Sequence, residues 1–418
     1  MFSGGTPSKA NTAFWEGPIG WLSPKDIKQF FISEAADKVS QAAIAESATQ
    51  IAPAGAVVLV ARSGILAHTL PVAVLQKPLA INQDLKAIVV QKENVLPDYL
   101  GSYLSVLGDR VLPLITKHGS TVQSIETSEL RYLKIPIPSL ERQLIVSRLF
   151  SEALAKKQQQ EQAAQSLLAG LDAYLLRELG IDLPPSEVPE KVFYSSWQQL
   201  RRQRWDAFFN QPQFDGFEQA VREGRYPTDK LRAQCASYRG VVYSQEDETD
   251  EGHIILRGNN IDLATNELDL TDLRHINAAL SLPASQQLYA GDILMSAASG
   301  SKDHVGKVAY IEENTRMYFG GFMMCLRTQP TLNSRFLFEF LQSNLFRKVL
   351  FRLLGGTSIN NLNFSMIASV PVPIPPMEVQ ERISFHMQQV RHQSRQQRQK
   401  AALDFAAAKD EIEKLILS

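Results

Sequence analysis

The feature that most constrains this chain is a repeat, whose two copies begin at Ser120 and Thr357 and lie 237 positions apart. Each copy opens on a short hydroxyl-bearing stretch, continues to an alternation of apolar residues with proline (Ile135–Pro138 and Val372–Pro375), and ends in Glu-x-Gln. The internal spacing is the same in both copies, so no gap is needed. A repeat of this length indicates a duplicated domain, because solenoid units recur every ~20–50 residues. The chain is therefore expected to do one job twice, at two places on one partner.

Weaker matches extend the repeat along the chain in the same order. Short β-branched and apolar runs, separated by Gly, Asn and Pro, indicate strands, and a helical segment follows in each half, Asp98–Leu107 and Ser334–Leu354. Proline cannot donate to a strand ladder, so the Pro-rich exits suit edge strands or extended segments. The pattern predicts mixed α/β modules. The matching segments are Trp21–Ile27 with Ile255–Ile261, Gly55–Val60 with Gly291–Ser296, and Ser63–Gly64 with Ser299–Gly300.

A long helix is predicted after each Pro-rich exit, from Leu140 to Leu179 and from Met377 to the end of the chain. The first should end at Gly180, which suits a left-handed cap. Apolar residues coincide in the two helices at spacings of mostly three and four, which places them on one face. We expect an antiparallel two-helix coiled coil ~60 Å long, with one module at each end. A dimerisation coiled coil is the alternative, but equal helices joined to equal modules favour a spacer.

Composition is that of an ordinary globular protein. Net charge is −1, from 43 basic and 44 acidic residues, whereas nonspecific polyanion binders usually carry a basic excess. Two cysteines, Cys235 and Cys325, provide neither a disulfide framework nor a metal cage and suit a reducing cytoplasm. The longest apolar run, Ile51–Ala61, is too short to cross a bilayer. These features predict a cytoplasmic chain with no membrane partner.

No catalytic constellation is recognisable in the sequence. Gly300–Lys307 resembles a phosphate loop, but its glycines are separated by five residues instead of four, and Val308 stands where Ser or Thr would hold Mg²⁺. There is no G-x-G-x-x-G and no Asn/Asp-Pro-Pro-aromatic tetrapeptide, and the histidines have no metal-ligand spacing. We therefore expect a protein that is not an enzyme and has no metal or cofactor.

Each module does carry a polar, glycine-bearing segment just before its Pro-rich exit, at 117–124 and 355–361. Hydroxyls and backbone amides beside glycine suit phosphate contacts, and Gln or Asn side chains can read adenine edges. A turn capped by Ser and Thr is the alternative structural interpretation. Recurrence in both copies favours the functional interpretation.

These residues resemble a known family, the DNA-specificity subunits of type I restriction-modification systems. The opening Ser3–Ser8 (SGGTPS), followed by Trp15 and Gly20–Leu22, is similar to the start of that family's target-recognition domain. The two segments GSTVQSI…KIPIPSLERQ and GGTSINNLN…PVPIPPMEVQ resemble its two exits into the long helices. The resemblance extends over essentially the whole chain. It is specific because the same segment occurs twice, at matching positions of the repeat.

The resemblance implies two α/β target-recognition domains separated by a long antiparallel coiled coil, with a pseudo-twofold repeat. Each domain reads one half of a bipartite target in double-stranded DNA, and the subunit itself is not catalytic. Its implied partners are two DNA adenine methyltransferase subunits and restriction/translocase subunits. The corresponding boundaries are 1–139 for the first recognition domain, 140–180 for the first helix, 181–376 for the linker and second recognition domain, and 377–418 for the second helix.

One departure concerns the start of the chain. Family members usually have a strand or more before the SGGTPS segment, so we expect the first domain to be truncated or to take that strand from elsewhere. The main alternative to the whole interpretation is a non-catalytic structural adaptor whose duplicated modules bind protein. The expected DNA contacts are Ser120, Thr121, Gln123, Thr357, Ser358, Asn360 and Asn361, followed by Thr6, Ser8, Lys9, Arg62, Arg257, Asn259, Asn260 and Lys302.

Overall fold

A computed structural model describes residues 1–117, 123–183, 192–197, 204–214, 216–263, 265–300, 304–355 and 361–417. The chain divides into two compact units. The first unit is Met1–Ala163 with Gln396–Ser418, and the second unit is Ala164–Arg395. Both are mixed α/β, and each has its own hydrophobic core.

Two main sheets form the first unit. One has five strands in the order β1-β9-β6-β7-β3, the other has four in the order β4-β2-β8-β5, and β10 pairs with β11. The strands are β1 Phe2–Ser3, β2 Ile19–Leu22, β3 Phe31–Ile32, β4 Asp37–Val39, β5 Gln50–Ala52, β6 Val57–Val60, β7 Val72–Leu75, β8 Leu79–Ile81, β9 Leu85–Ile88, β10 Thr116–Lys117 and β11 Ser124–Ile125.

Two four-stranded sheets form the second unit, in the orders β13-β20-β17-β18 and β14-β16-β15-β19, and β12 pairs with β21. The strands are β12 Thr228–Lys230, β13 Cys235–Arg239, β14 Glu248–Thr249, β15 His253–Leu256, β16 Arg274–Ile276, β17 Ile293–Ser296, β18 Val308–Tyr310, β19 Tyr318–Phe319, β20 Met323–Thr328 and β21 Pro371–Pro373.

The two units share most of the strand topology of their main sheets, although β3 and β5 of the first unit and β14 of the second have no counterpart. The antiparallel order β1-β9-β6-β7 in the first unit corresponds to β13-β20-β17-β18 in the second. In the other sheet, β2 lies between antiparallel β4 and parallel β8, as β15 lies between antiparallel β16 and parallel β19. Gly55 and Gly291, which precede β6 and β17, both adopt positive φ angles. The repeat predicted from the sequence is thus present in the backbone of both units.

Helices pack against these sheets within each unit. The helices are Gln41–Glu46, Pro97–Val106, Gly108–Ile115, Thr127–Tyr132, Leu140–Leu179, Phe217–Glu223, Leu231–Gln234, Ser334–Gln342, Asn344–Leu354, Phe364–Ile367 and Met377–Leu417. Within the described residues, no helix combines the length and the apolar composition needed to cross a membrane.

The long helix Leu140–Leu179 has the predicted bounds. It ends in a left-handed Gly180, with φ +63°, and the N–H of Ile181 donates to the Leu176 carbonyl, so the predicted cap is confirmed. Its apolar face is divided between two cores. Val146 and Phe150 are buried in the first unit, whereas Leu171, Leu175 and Leu179 are buried in the second. The second long helix, Met377–Leu417, likewise contributes to both cores.

One sequence prediction needs correction. The helix expected over Ser334–Leu354 is two helices, because Ser343 interrupts it and its hydroxyl accepts a hydrogen bond from the Phe346 N–H, as an N-cap. Each Pro-rich exit takes one of the two predicted forms, so that prediction is confirmed. Pro371–Pro373 is an edge strand paired with β12, whereas Ile135–Pro138 is extended chain without a strand partner among the described residues.

The repeated glutamine has a structural role in both units. Gln143 is buried, accepts a hydrogen bond from the Leu96 N–H, and donates to the carbonyls of Asn94 and Pro138. Gln380 makes the three equivalent hydrogen bonds. It accepts from the Asn333 N–H and donates to the carbonyls of Thr331 and Pro375. In both places one amide joins the start of a long helix, the Pro-rich exit and the loop before a packed helix.

Replacing Gln380 with leucine is expected to lower the free energy of unfolding by about 1–3 kcal/mol, because buried backbone groups lose their partners. Denaturant titration of the full chain measures the change. Glu381→Gln, at the next and exposed position, serves as the control and should stay within ~0.5 kcal/mol of the parent. Equal stability of the Gln380→Leu and parent proteins would contradict the assigned role.

Candidate functional site

In each unit, several of the loops that connect the strands lie together and form one cluster. The first loop cluster consists of Gly4–Lys9, Ala61–Ser63, Asn82–Asp84 and Gln123–Ser124. The second loop cluster consists of Gly240–Gln245, Arg257–Asn260, Ala297–Ser299, Gly320–Phe322 and Asn361. All nine of the predicted DNA-contact residues that the structure describes lie in these clusters.

The loop before β9 and its counterpart before β20 organise the two clusters. The carbonyl oxygen of Asp84 accepts hydrogen bonds from the N–H groups of Ala61 and Arg62, at 2.7 and 3.3 Å. The carbonyl of Phe322 accepts from Ala297 and Ala298 at 2.8 and 3.2 Å. The same main-chain bonds therefore hold two different side chains, a carboxylate and an aromatic ring, at equivalent positions.

The segments that precede the Pro-rich exits join the same clusters. Arg62 pairs with Ser124 in an isolated bridge, and the Ser63 N–H donates to the Gln123 carbonyl at 3.2 Å. Ala298 pairs with Asn361 in the equivalent bridge of the second unit. The structure thus brings Arg62 and Gln123 together, and it places Asn361 beside the loop that continues to Ser299.

Close packing of the backbone explains why each cluster begins with a glycine. A side chain on Gly4 would overlap the carbonyl of Ile81, and one on Gly240 would overlap that of Gly320, so both positions require glycine. Beyond them, the Thr6 hydroxyl hydrogen-bonds the Gln83 side chain. The next loop residues, Ser8 and Lys9, are exposed.

Three predicted contacts in the second unit lie on one capped turn. Arg257 and Asn259 both donate to Oδ2 of Asp272, each at 2.9 Å, and the Nε of Arg257 is buried without a hydrogen-bond partner among the described residues. Asn260 is only 1% exposed. Its amide accepts from the Arg257 N–H and donates to the carbonyls of Asp269 and Asp272. The enclosed side chain of Asn260 holds this turn, and its predicted contact with DNA stays a prediction.

Six of the residues predicted to contact DNA lie outside the described residues. They are Ser120, Thr121, Lys302, Thr357, Ser358 and Asn360.

The second cluster surrounds a cavity of about 690 Å³. Three arginines line it, Arg239, Arg257 and Arg274, and Arg274 is paired with Glu248 at 2.6 Å. Burial raises the pKa of Tyr243, which also lines the cavity, while the charge of Arg257 opposes that shift. Apolar side chains complete the wall, so the cavity combines cationic and apolar surface.

Both cysteines are buried, and burial raises the pKa of Cys235 to about 12 and also raises the pKa of Cys325. Lys307, whose pKa burial lowers, donates to the Ile261 carbonyl and ties the capped turn to β17 and β18. Among the described residues, no group of three or more His, Cys, Asp and Glu side chains is placed to hold a metal ion.

Sequence reasoning missed the loop that organises each cluster. Gln83 and Asp84 in the first unit, and Val242 and Phe322 in the second, were not expected to be functional. The sequence register did not show that Asn82–Asp84 corresponds to Gly320–Phe322, because these loops are offset by 238 positions instead of 237. They correspond because both lie immediately before an equivalent strand. Arg239 and Arg274 carry no local signal, because they become neighbours only through the fold.

Comparison with known proteins identifies relatives of both modules. A family model described as the type I restriction modification DNA specificity domain matches residues 2–165 and 258–403, more than half of the chain. The specificity subunit of the type I restriction enzymes EcoR124I/EcoR124II from Escherichia coli is 39% identical over 150 residues, which are 35% of this chain and 37% of the relative. The EcoKI specificity subunit from Escherichia coli strain K12 is 33% identical over 150 residues, 35% of this chain and 32% of the relative.

The alignments thus span only about a third of the length of these curated relatives. A solved chain from work on complex assembly and conformational transition of the type I R-M system aligns at 14% identity and a TM-score of 0.49, covering 88% of this chain and 82% of that chain.

Proposed function

The chain belongs to the family of type I restriction-modification DNA specificity domains, and we propose that it is a non-catalytic subunit that reads a two-part DNA sequence. The observation that carries the proposal is the pair of loop clusters. Equivalent main-chain hydrogen bonds hold them, yet their side chains differ. Such an arrangement suits two readers with one framework and different base preferences.

The proposed organisation follows the duplicated sequence. Residues 1–139 form the first target-recognition domain and 181–376 the linker and second, while 140–180 and 377–418 are spacer helices. Ion pairs and ring contacts within each unit support antiparallel pairing of the helices. In the first unit, Lys156 lies 2.9 Å from Asp404. In the second, the Tyr174 and His386 rings are 4.2 Å apart, and Ser394 donates to the Ala164 carbonyl at 2.8 Å. As the residue number rises along the first helix, the residue number of the partner on the second helix falls, as expected for antiparallel helices.

The proposed partners are two DNA adenine methyltransferase subunits, together with restriction/translocase subunits, in the cytoplasm. Exposed apolar residues on both long helices provide surface for such subunits: Leu144, Ile145, Phe385 and Leu403. A net charge of −1 fits a reader that shares DNA binding with a partner. The protein-binding adaptor is not favoured, because the family match includes both modules.

The test uses the full chain purified with its methyltransferase subunit. Methylated adenines mapped in DNA treated with the complex should define a target with two read halves and an unread gap. Thr6→Ala with Gln83→Ala should relax base preference in one half only, and Arg257→Ala with Asn259→Ala should relax it in the other. Removing a side chain that reads a base should weaken binding by about 1–3 kcal/mol.

Arg222→Ala, exposed on the helix Phe217–Glu223 and outside both loop clusters, is the control and should leave the target unchanged. A target with a single read block, or variants that alter both halves alike, would contradict the assignment of one reader to each unit.

A further inference from the structure

Two apolar side chains stand in solvent at the rim of the second loop cluster. Phe322 is 76% exposed and Val242 is 79% exposed, and both line the arginine-bearing cavity. They belong to adjoining loops, since a Cβ built on Gly321 would lie 3.2 Å from Cγ2 of Val242. Isolated exposed apolar residues are ordinary, but a pair at the edge of a cationic cavity indicates a binding surface.

Folding does not require these positions to be apolar. In the first unit the equivalent residues are Thr6 and Asp84, and Thr6 hydrogen-bonds Gln83. Phe322 is held through its backbone, whose carbonyl accepts two hydrogen bonds, so its ring contributes little to the core. The apolar pair therefore distinguishes what the second unit binds from what the first unit binds.

The edges of DNA bases offer one prominent apolar group in the major groove, the C5-methyl of thymine. Arginines beside it suit the neighbouring phosphates or a guanine edge. Resting on the proposed function, we propose that Phe322 and Val242 read thymine by contact with its C5-methyl group, in the half-site bound by the second unit, and that Arg239 holds an adjoining phosphate. The first unit reads its half-site with polar side chains instead.

The experiment replaces thymine with deoxyuridine, one position at a time, in a duplex that carries the mapped target. Binding is measured for the full chain with its methyltransferase subunit. The relevant half-site is the one whose preference changes in the protein that carries both Arg257→Ala and Asn259→Ala. Removing the methyl group from the contacted thymine should weaken binding by about fourfold, which corresponds to ~0.8 kcal/mol. In the Phe322→Ala and Val242→Ala proteins, thymine and deoxyuridine duplexes should bind alike.

Arg239→Ala provides a matched control at the same rim. It should weaken binding to all sequences and reduce the slope of log affinity against log salt by about one, because one phosphate no longer has a cationic partner. It should keep the difference between thymine and deoxyuridine. Phe322→Ala should show the opposite combination, with an unchanged salt slope and no methyl discrimination.

Three results would overturn the inference alone while sequence-specific binding persists. These are a half-site without thymine, deoxyuridine duplexes that bind the parent protein as tightly as thymine duplexes, and a Phe322→Ala protein that retains methyl discrimination. If Phe322→Ala weakens every duplex and deoxyuridine has no effect, the ring acts as a wedge between base steps. Absence of sequence-specific binding by the parent complex would instead overturn the proposed function and this inference together.

Discussion

Replacing Arg391 with alanine is expected to lower the free energy of unfolding by about 3–5 kcal/mol. Its guanidinium contacts both carboxylate oxygens of Glu339, at 2.7 to 3.1 Å, within the second unit. The Glu339 side chain is completely buried. The substitution would leave that carboxylate buried without its counter-ion, which is one of the most destabilising changes a core tolerates. Denaturant unfolding of the full chain measures it.

The first unit provides a matched control for this prediction. At the positions that correspond in the repeat it has Ser102 and Leu154, so the ion pair is not part of the shared framework. Glu339→Ser combined with Arg391→Leu removes both charges and should be clearly more stable than Arg391→Ala alone. If the single and double variants have the same free energy of unfolding, the loss of stability does not come from an unpaired carboxylate.

Inserting seven residues into both long helices, after Ala163 and after Arg395, is expected to change the DNA target itself. These points lie at the boundaries between the two units. Seven residues keep the apolar stripe nearly in phase and lengthen each helix by ~10.5 Å, so the unread gap should widen by up to about three base pairs. The bases read in each half should stay the same, because the loop clusters are untouched. Mapping of methylated adenines measures both.

The spacer proposal also predicts the outcome of inserting seven residues into one helix only. That change leaves the two apolar stripes unequal in length, so it should lower stability instead of producing a defined new target. An unchanged gap after insertion into both helices would argue that the helices do not set the distance between the half-sites.

The long helices were predictable because their signals are local. Apolar residues at helical spacing and a terminal glycine define Leu140–Leu179, and Gly180 supplies the left-handed conformation that the cap requires. Ser343 was missed because serine is only weakly unfavourable inside a helix, and its use as an N-cap depends on how the two flanking helices pack. Likewise, Pro371–Pro373 becomes a strand because β12 is available to pair with it.

The candidate site was predictable only in part. Arg62 and Gln123 were predicted as contacts from their sequence context, and the fold places them in one loop cluster, while their contact with DNA stays a prediction. The burial of Asn260 was not predictable from the sequence, because it depends on Asp269 and Asp272, which return to it from a later loop. Phe322 was not among the predicted contacts. Its exposure follows from its position just before β20, which no local pattern shows.

The two loops are held through the main-chain carbonyl oxygens of Asp84 and Phe322, and this has a consequence for how such chains diversify. Any amino acid brings a main-chain oxygen to these two positions, so the hydrogen bonds that hold the loop survive whichever residue is encoded there. Under the proposed function, a point mutation at either position therefore gives a new base preference, while the main-chain framework of the loop is inherited unaltered.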